Sequence, residues 1–146
     1  MASPSLTNNT YLINNISRDL NFKRENILSN ESNIILSISC KKNIIVAWKD
    51  ISHLEAIGNY TMFYFTDGKK LLVSRTMKVF LPKLDAEMFV RIHKSFTINL
   101  NCVSQFDIKE EMFVQLRDGS KISISRRKKK EFIDRVRKHF GYSRIN

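Results

Sequence analysis

The densest group of side chains able to do chemistry is a run of five cations, Arg126, Arg127, Lys128, Lys129 and Lys130. The run opens a predicted helix over residues 126–140, where the helix dipole disfavours positive charge. Free backbone N–H groups and cations at the start of one helix form an anion site, which the phosphates of a nucleic-acid backbone fit best. A solvated surface is the usual alternative for a charge run, but this position against the dipole favours the anion site.

A second candidate is the segment 91–95, which reads Arg-Ile-His-Lys-Ser between apolar neighbours. We expect Ile92 to point inward, which leaves His93, Lys94 and Ser95 on an edge or loop. A structural role is the alternative for a lone histidine. A lysine, in contrast, is hard to place in a core without a partner.

The third candidate is the segment Gly58-Asn59-Tyr60. A turn explains it fully, because Asn and Gly both tolerate positive φ. As a binding site, the segment offers the Asn59 amide, which can pair in a bidentate manner with an adenine edge. The residues alone favour the turn.

Two parts of the chain are similar at an offset of 51 residues. In each part, two predicted strands flank Asp-Gly, the strongest short hairpin signal, and the second strand runs through Ser-Arg into a basic helix start. Arg75 and Lys78 of the first part correspond to Arg126 and Lys129 of the second. Each serine is a candidate helix N-cap. The arginine has no structural requirement, so we assign Arg75 and Lys78 to the anion-binding surface as well.

Net charge and composition limit the possible classes of protein. The 146 residues include 25 Lys and Arg against 14 Asp and Glu, which gives a net charge of +11. Charges cancel over residues 1–40, so the whole excess lies in residues 41–146 and implies a polyanionic partner, either nucleic acid or an anionic membrane. Two cysteines fit a reducing compartment. Neither a membrane span nor a signal peptide is recognisable, so we expect a cytoplasmic protein.

Sequence motifs of enzymes are missing from the chain. It has no Gly-rich phosphate loop and no HExxH or CxxC metal pair, and its three histidines are far apart without paired carboxylates. Cys40 and Cys102 are interpreted as inert structural thiols. We therefore expect no enzymatic activity and no catalytic, cofactor-binding or metal-binding residue.

The elements that position these candidates are predicted to be mainly β-strands. Residues 1–33 contain eight Asn, which weaken helices, and we expect an N-terminal arm that is partly ordered at best. It is either a flexible tail or a contact for a partner or a second copy. One domain over residues 34–146 follows. Pro82 should break or kink a helix over residues 76–84. Period-two alternation and short apolar runs predict strands over residues 34–39, 44–47, 51–57, 60–66, 69–74, 89–92, 103–108, 112–117 and 121–125.

The stretch from about residue 43 to residue 140 resembles the LytTR DNA-binding domain of bacterial transcription regulators of the LytR/AlgR type. The most specific feature is the Arg91-x-His93-x-Ser95 block ahead of Ile98-Asn99. The other matching positions, in the order and spacing of the family, are residues 50–55, 58–60, 65–68, 103, 116–119 and 124–126.

The resemblance implies antiparallel β-sheets in an elongated fold with short helices, which reads DNA with loops instead of a recognition helix. The loops enter neighbouring major grooves of double-stranded DNA. By position, the resemblance places base-reading residues at Asn59 and Tyr60, at His93 and Lys94, and at Arg126. It also implies that two copies bind direct-repeat sites. The first 40 residues are too few for a receiver domain, so we expect control by expression, by a separate regulatory protein or by the arm.

Two other functions remain open at this point. The predicted C-terminal helix carries an apolar face of Phe132, Val136 and Phe140, which would either cover the β-core or lie on anionic lipid headgroups. RNA readers of the sheet type display aromatic side chains for stacking, and Tyr60 and Tyr64 are the candidates for that role.

Overall fold

A computed structural model describes residues 32–141, and the predicted arm over residues 1–33 lies outside that range except for its last two residues. Two α-helices are present in the described range, α1 (Met77–Phe80) and α2 (Lys129–Phe140). The described strands are β1 (Asn33–Ser39), β2 (Lys42–Ala47), β3 (Ile51–Ile57), β4 (Tyr60–Phe65), β5 (Lys70–Val73), β6 (Phe89–His93), β7 (Phe96–Asn99), β8 (Val103–Asp107), β9 (Phe113–Leu116) and β10 (Lys121–Ser123).

The described strands form three sheets, and their pairing is antiparallel throughout. The largest sheet has five strands in the order β5-β4-β3-β7-β6, beside a three-stranded sheet β10-β9-β8 and the β1-β2 pair. The predicted fold class, mainly β with antiparallel sheets and a C-terminal helix, is confirmed. β7 is not among the predicted strands, although it occupies an inner position of the largest sheet.

Both predicted Asp-Gly hairpins form. Gly68 and Gly119 adopt φ of 90° and 91°, a region that a side chain would strain. The preceding aspartates complete the turns, because a side-chain oxygen of Asp67 accepts from the Lys69 N–H at 2.9 Å and one of Asp118 accepts from the Ser120 N–H at 2.8 Å. The two similar parts of the chain therefore share a real turn geometry.

Pro82 limits the first helix as predicted. α1 is only four residues long, and the chain continues as a 3₁₀ turn over Leu81–Lys83. The prediction of Ser74 as a helix cap is wrong, because Thr76 occupies the N-cap position of α1 and makes no side-chain cap bond.

The predicted C-terminal helix begins later than expected. Arg126–Lys128 form a 3₁₀ turn, and α2 starts at Lys129. Ser125 lies at the N-cap position of the 3₁₀ turn but its side chain makes no cap bond, so the second predicted serine cap is also wrong. Crowding of like charges where the dipole is positive disfavours a regular α-turn at this point, and 3₁₀ turns are common at helix N-termini.

Buried apolar side chains form two clusters. The first joins β1–β5, α1 and the start of β6, and it includes Leu54, Phe63 and Phe80. The second joins β6–β10 and α2. Phe132 and Val136 of α2 are fully buried in the second cluster, whereas Phe140 is 39% exposed. The apolar face of α2 therefore covers the β-core. No helix within residues 32–141 is long and apolar enough to cross a membrane.

His53 is a buried histidine on the face of the five-stranded sheet that carries the second cluster. It is 4% exposed, and its ring stacks on Tyr64 with the ring centroids 4.2 Å apart. Its Nδ1 lies 3.0 Å from the Ser52 hydroxyl. Burial lowers the pKa of His53 from 6.5 to about 4, although the charges of Asp118 and Glu55 act in the opposite direction.

We expect the free energy of unfolding to fall as the pH drops from about 6.5 to about 4. The folded state keeps His53 neutral in this window, while the unfolded chain takes up the proton. Acidification therefore favours the unfolded chain, and the stability that is present above pH 6.5 is lost. Urea denaturation at a series of pH values measures the effect. His53→Phe, which keeps a buried ring against Tyr64, should show a weaker dependence on pH in this window. An identical dependence in parent and variant would contradict the assignment.

Candidate nucleic-acid interface

Three loops lie at the same end of the strands in the five-stranded sheet, and we use the word edge for this side, which runs across the strand direction. β3 ends at Ile57 and β4 starts at Tyr60, so the Gly58-Asn59 turn is at this edge. Thr61 of β4 pairs with Val73, which places the chain after β5 there too. The β6–β7 turn also belongs to this edge, because Glu55 pairs with Phe96 and the Ala56 N–H donates to the Ser95 carbonyl at 2.8 Å.

The strand order fixes the order of these loops along the edge. Arg75 follows β5 on the outside, Asn59 and Tyr60 come next, and Lys94 lies in the turn of the last two strands. Neighbouring strands are about 4.8 Å apart, so the four steps from β5 to β6 span roughly 19 Å. The loops therefore form one row and do not cluster at a point.

A fourth segment joins this row from the second cluster. The Ser125 N–H donates to the carbonyl of Ile92 at 2.8 Å, and the Lys128 N–H closes the 3₁₀ turn onto the Ser125 carbonyl at 3.0 Å. The bond to Ile92 holds the turn Arg126–Lys128 beside the end of β6. Arg126 and Arg127 are exposed.

The fourth segment and the β6–β7 turn enclose an open depression of about 400 Å³, which is lined by Arg91, His93, Lys94, Ser125, Arg127 and Lys128. Four of these six side chains are cationic and none is a carboxylate. Lys128 is paired with the Glu131 carboxylate at 3.4 Å, outside the lining, whereas no ion pair is found within residues 32–141 for Arg91, Lys94 or Arg127. The positive charge still exceeds the negative charge around the depression, and such an excess attracts an anion. Four of the six lining residues are predicted site residues, and the fold brings them around one space: His93, Lys94, Arg127 and Lys128.

The β6–β7 turn has a defined hydrogen-bond arrangement. The Ser95 N–H donates to His93 Nδ1 at 3.1 Å. A neutral imidazole that accepts at Nδ1 carries its proton on Nε2, which is then the donor that His93 can offer to a ligand. Arg91 donates from Nε to the carbonyl of His93 at 3.4 Å and from Nη2 to the carbonyl of Lys94. The predictions that Ile92 is buried and Lys94 exposed are confirmed.

The first loop is a tight turn that carries two exposed side chains. Gly58 has φ of 59°, as the turn interpretation requires, and Tyr60 is 47% exposed. Behind the loop, Thr61 is fully buried and its hydroxyl donates to the Arg75 carbonyl at 2.8 Å. This bond ties the Arg75 segment to the first loop. Neither Thr61 nor Arg91 is a predicted site residue, since both donate to main-chain carbonyls, which any residue type possesses. Arg91 belongs to the Arg-x-His-x-Ser block, but the sequence does not reveal its role.

Five of the predicted cations do not line the depression: Arg75, Lys78, Arg126, Lys129 and Lys130. Lys129 and Lys130 belong to the first turn of α2, and Lys78 belongs to α1, a few residues after Arg75. Within residues 32–141, no group of three or more His, Cys, Asp or Glu side chains is placed to hold a metal ion. Burial raises the pKa of the Cys102 thiol, whereas Cys40 is exposed.

Tyr60 and Tyr64 do not form an open pair for base stacking. Tyr64 stacks on His53, and its hydroxyl donates to a Glu55 carboxylate oxygen at 2.7 Å. Burial and this bond to Glu55 raise the pKa of Tyr64 to about 12. Tyr64 is therefore used inside the protein.

The fold is a β-rich domain with a row of loops along one edge, and most of these loops carry exposed cations. A family model described as the LytTr DNA-binding domain matches residues 41–137. The chain belongs to this family, which is a family of DNA-binding domains and not of enzymes, and DNA is its partner.

Structural comparison agrees with the family. A solved structure from Bacillus cereus, described as the LytTr DNA-binding domain of a methyl-accepting/DNA response regulator, aligns with a TM-score of 0.57 at 19% identity. The alignment covers 77% of this chain and 100% of that chain. At this identity the likeness concerns the fold. A search of curated proteins gave no match.

Proposed function

We propose that the chain is a transcription regulator that binds double-stranded DNA sequence-specifically and reads major grooves through its loops. The observation that carries the proposal is the convergence of the β6–β7 turn and the Arg126–Lys128 turn on one depression with four cationic side chains in its lining. Phosphates supply the affinity for such a surface, and base edges supply the specificity.

The side chains of the row divide into two groups by their chemistry. Arg126 is proposed to contact a guanine edge, and Asn59 or Tyr60 to contact bases through the first loop. His93, Lys94 and Ser95 are proposed to supply base or phosphate contacts. Phosphates are the proposed ligands of the remaining cations, which are Arg75, Lys78, Arg127, Lys128, Lys129 and Lys130.

The length of the row supports binding in two copies. Roughly 19 Å along the edge exceeds the width of one major groove, about 12 Å, but is shorter than one helical turn of about 34 Å. One chain therefore covers a short half-site and its flanking phosphates. We propose that two copies occupy a direct repeat.

A DNA partner agrees with a cytoplasmic location. The activity of the regulator is proposed to be controlled by its expression, by a separate regulatory protein or by the N-terminal arm.

Selection from a random pool of duplex DNA at near-physiological salt, followed by sequencing, tests the proposal. We expect an enriched motif with two similar half-sites about one helical turn apart. Retention of DNA without enrichment would mean that only the charge is read, and the sequence-specific function would be wrong.

Parallel assays with a single-stranded RNA pool and with vesicles of anionic or neutral lipid cover the two other functions. We expect weaker retention of RNA than of duplex DNA, because Tyr64 is engaged with His53 and Glu55. We also expect no sedimentation that depends on the apolar face of α2, because Phe132 and Val136 are buried. RNA that displaces the selected duplex at equal concentration would contradict the preference for DNA.

A further inference from the structure

Arg91 lies at an irregular point of the five-stranded sheet. Its partner in β7 is Thr97, whereas His93 pairs with Phe96, so two steps along β6 match a single step along β7. Such a β-bulge leaves the extra residue, Ile92, without a regular ladder partner, and its carbonyl accepts from the Ser125 N–H instead. The turn that follows the bulge is held by a side chain. The carbonyls of His93 and Lys94 find their donors in the guanidinium group of Arg91.

The same guanidinium group lines the cationic depression together with Arg127 and Lys128. Its Nε and Nη2 atoms are directed at the chain's own carbonyls. The β6–β7 hairpin contributes two cations to the lining. Arg91 donates to the main chain of its own turn, whereas Lys94 is exposed at the tip of that turn.

We propose that Arg91 is a positioning residue for DNA recognition, an inference that rests on the proposed function. It holds the β6–β7 turn in the bulged conformation, so that His93 and Lys94 face the DNA at a fixed distance from Arg127. The planar fork of the guanidinium group performs this role, since an ammonium group cannot reproduce two divergent donors in one plane.

Two substitutions of Arg91 separate the effect of the planar guanidinium group from that of its charge. Lysine keeps the charge but not the planar group, and glutamine removes the charge. We expect Arg91→Lys and Arg91→Gln to weaken binding of the selected duplex by a similar factor, roughly ten-fold, and to relax selectivity at the bases read by this turn. Arg127→Lys and Arg127→Gln are the matched controls, because a phosphate contact tolerates lysine but not glutamine. Parental affinity and selectivity in Arg91→Lys would overturn the proposal and show that only the charge of Arg91 matters.

A second measurement asks whether Arg91 acts through the turn. In a His93→Ala/Lys94→Ala background, Arg91→Gln should change the affinity less than two-fold, because the side chains that it positions are already absent. A loss that stays near ten-fold in that background would show that Arg91 contacts DNA itself, and the positioning role would be wrong.

Amide hydrogen exchange of the free protein needs no DNA and remains informative if the parent selects no sequence. Both Arg91 variants should exchange faster than the parent at the amides of Ser95 and Ala56, which donate to His93 Nδ1 and to the Ser95 carbonyl. Amides of β9, in the second cluster, should keep parental rates and serve as the control for folding. Unchanged exchange at Ser95 and Ala56 in Arg91→Gln would overturn the positioning role independently of any function.

Discussion

Replacing Arg126 with alanine is expected to weaken binding of the selected DNA site by roughly 1–3 kcal/mol and to relax selectivity at one base pair. Arg126 is exposed and begins the 3₁₀ turn Arg126–Lys128. The bond from the Ser125 N–H to the Ile92 carbonyl anchors this turn at the sheet, so the side chain starts from a fixed point. A guanidinium group in such a position can donate two bonds to O6 and N7 of a guanine.

Affinity and repeated pool selection with the variant measure the effect. Lys129→Ala is the comparison for a phosphate contact, and it should weaken all DNA sequences evenly and make the salt dependence shallower by about one ion. Lys49→Ala is the matched control, because this exposed lysine lies just before the start of β3, at the opposite end from the loops. If Arg126→Ala binds the parental site with unchanged affinity and selectivity, the assignment of Arg126 to a base is wrong.

Replacing Phe132 with alanine is expected to lower the free energy of unfolding by about 3–5 kcal/mol. The side chain is fully buried, and its ring packs edge-on against Phe106 with the centroids 5.4 Å apart. Truncation removes apolar contacts from the cluster that fastens α2 to the sheets and leaves a cavity that the surrounding strands fill only partly.

Urea denaturation measures this loss, and Phe140→Ala is the control on the same helix. Phe140 is 39% exposed, so its truncation should cost much less. A loss below about 1 kcal/mol for Phe132→Ala would contradict the burial of this face and would reopen the assignment of α2 to a lipid surface.

Local chemistry made most of the strands predictable. The two Asp-Gly turns are determined by neighbouring residues, and alternation defined the strands on either side. β7 was not predictable in this way, because Thr97 and Asn99 are polar but buried. The Asn99 amide donates to the carbonyl of Ile51 at 2.9 Å, a residue 48 positions away. Only the tertiary structure supplies that partner, so the periodicity of the segment does not reveal a strand.

The residues of the candidate site were predictable from the sequence, but their arrangement was not. Charge, spacing and the family resemblance selected Asn59, His93, Lys94 and Arg126 from the sequence. Their arrangement in a row depends on strand order, which no local pattern encodes. Arg91 was visible only as part of the family's block, because its partners are carbonyl oxygens that any residue type possesses.

The two buried clusters have a consequence for the DNA that the protein can recognise. Loops after β3 and β5 are carried by the first cluster, whereas the turn Arg126–Lys128 belongs to the second. Neighbouring residues of β6 are divided between them, Phe89 in the first and Val90 in the second. In the proposed complex, the number of base pairs between contacted positions is therefore set by how the two clusters pack across β6. A change of side-chain volume at this junction would alter the preferred spacing within a half-site while leaving the preference at each base unchanged.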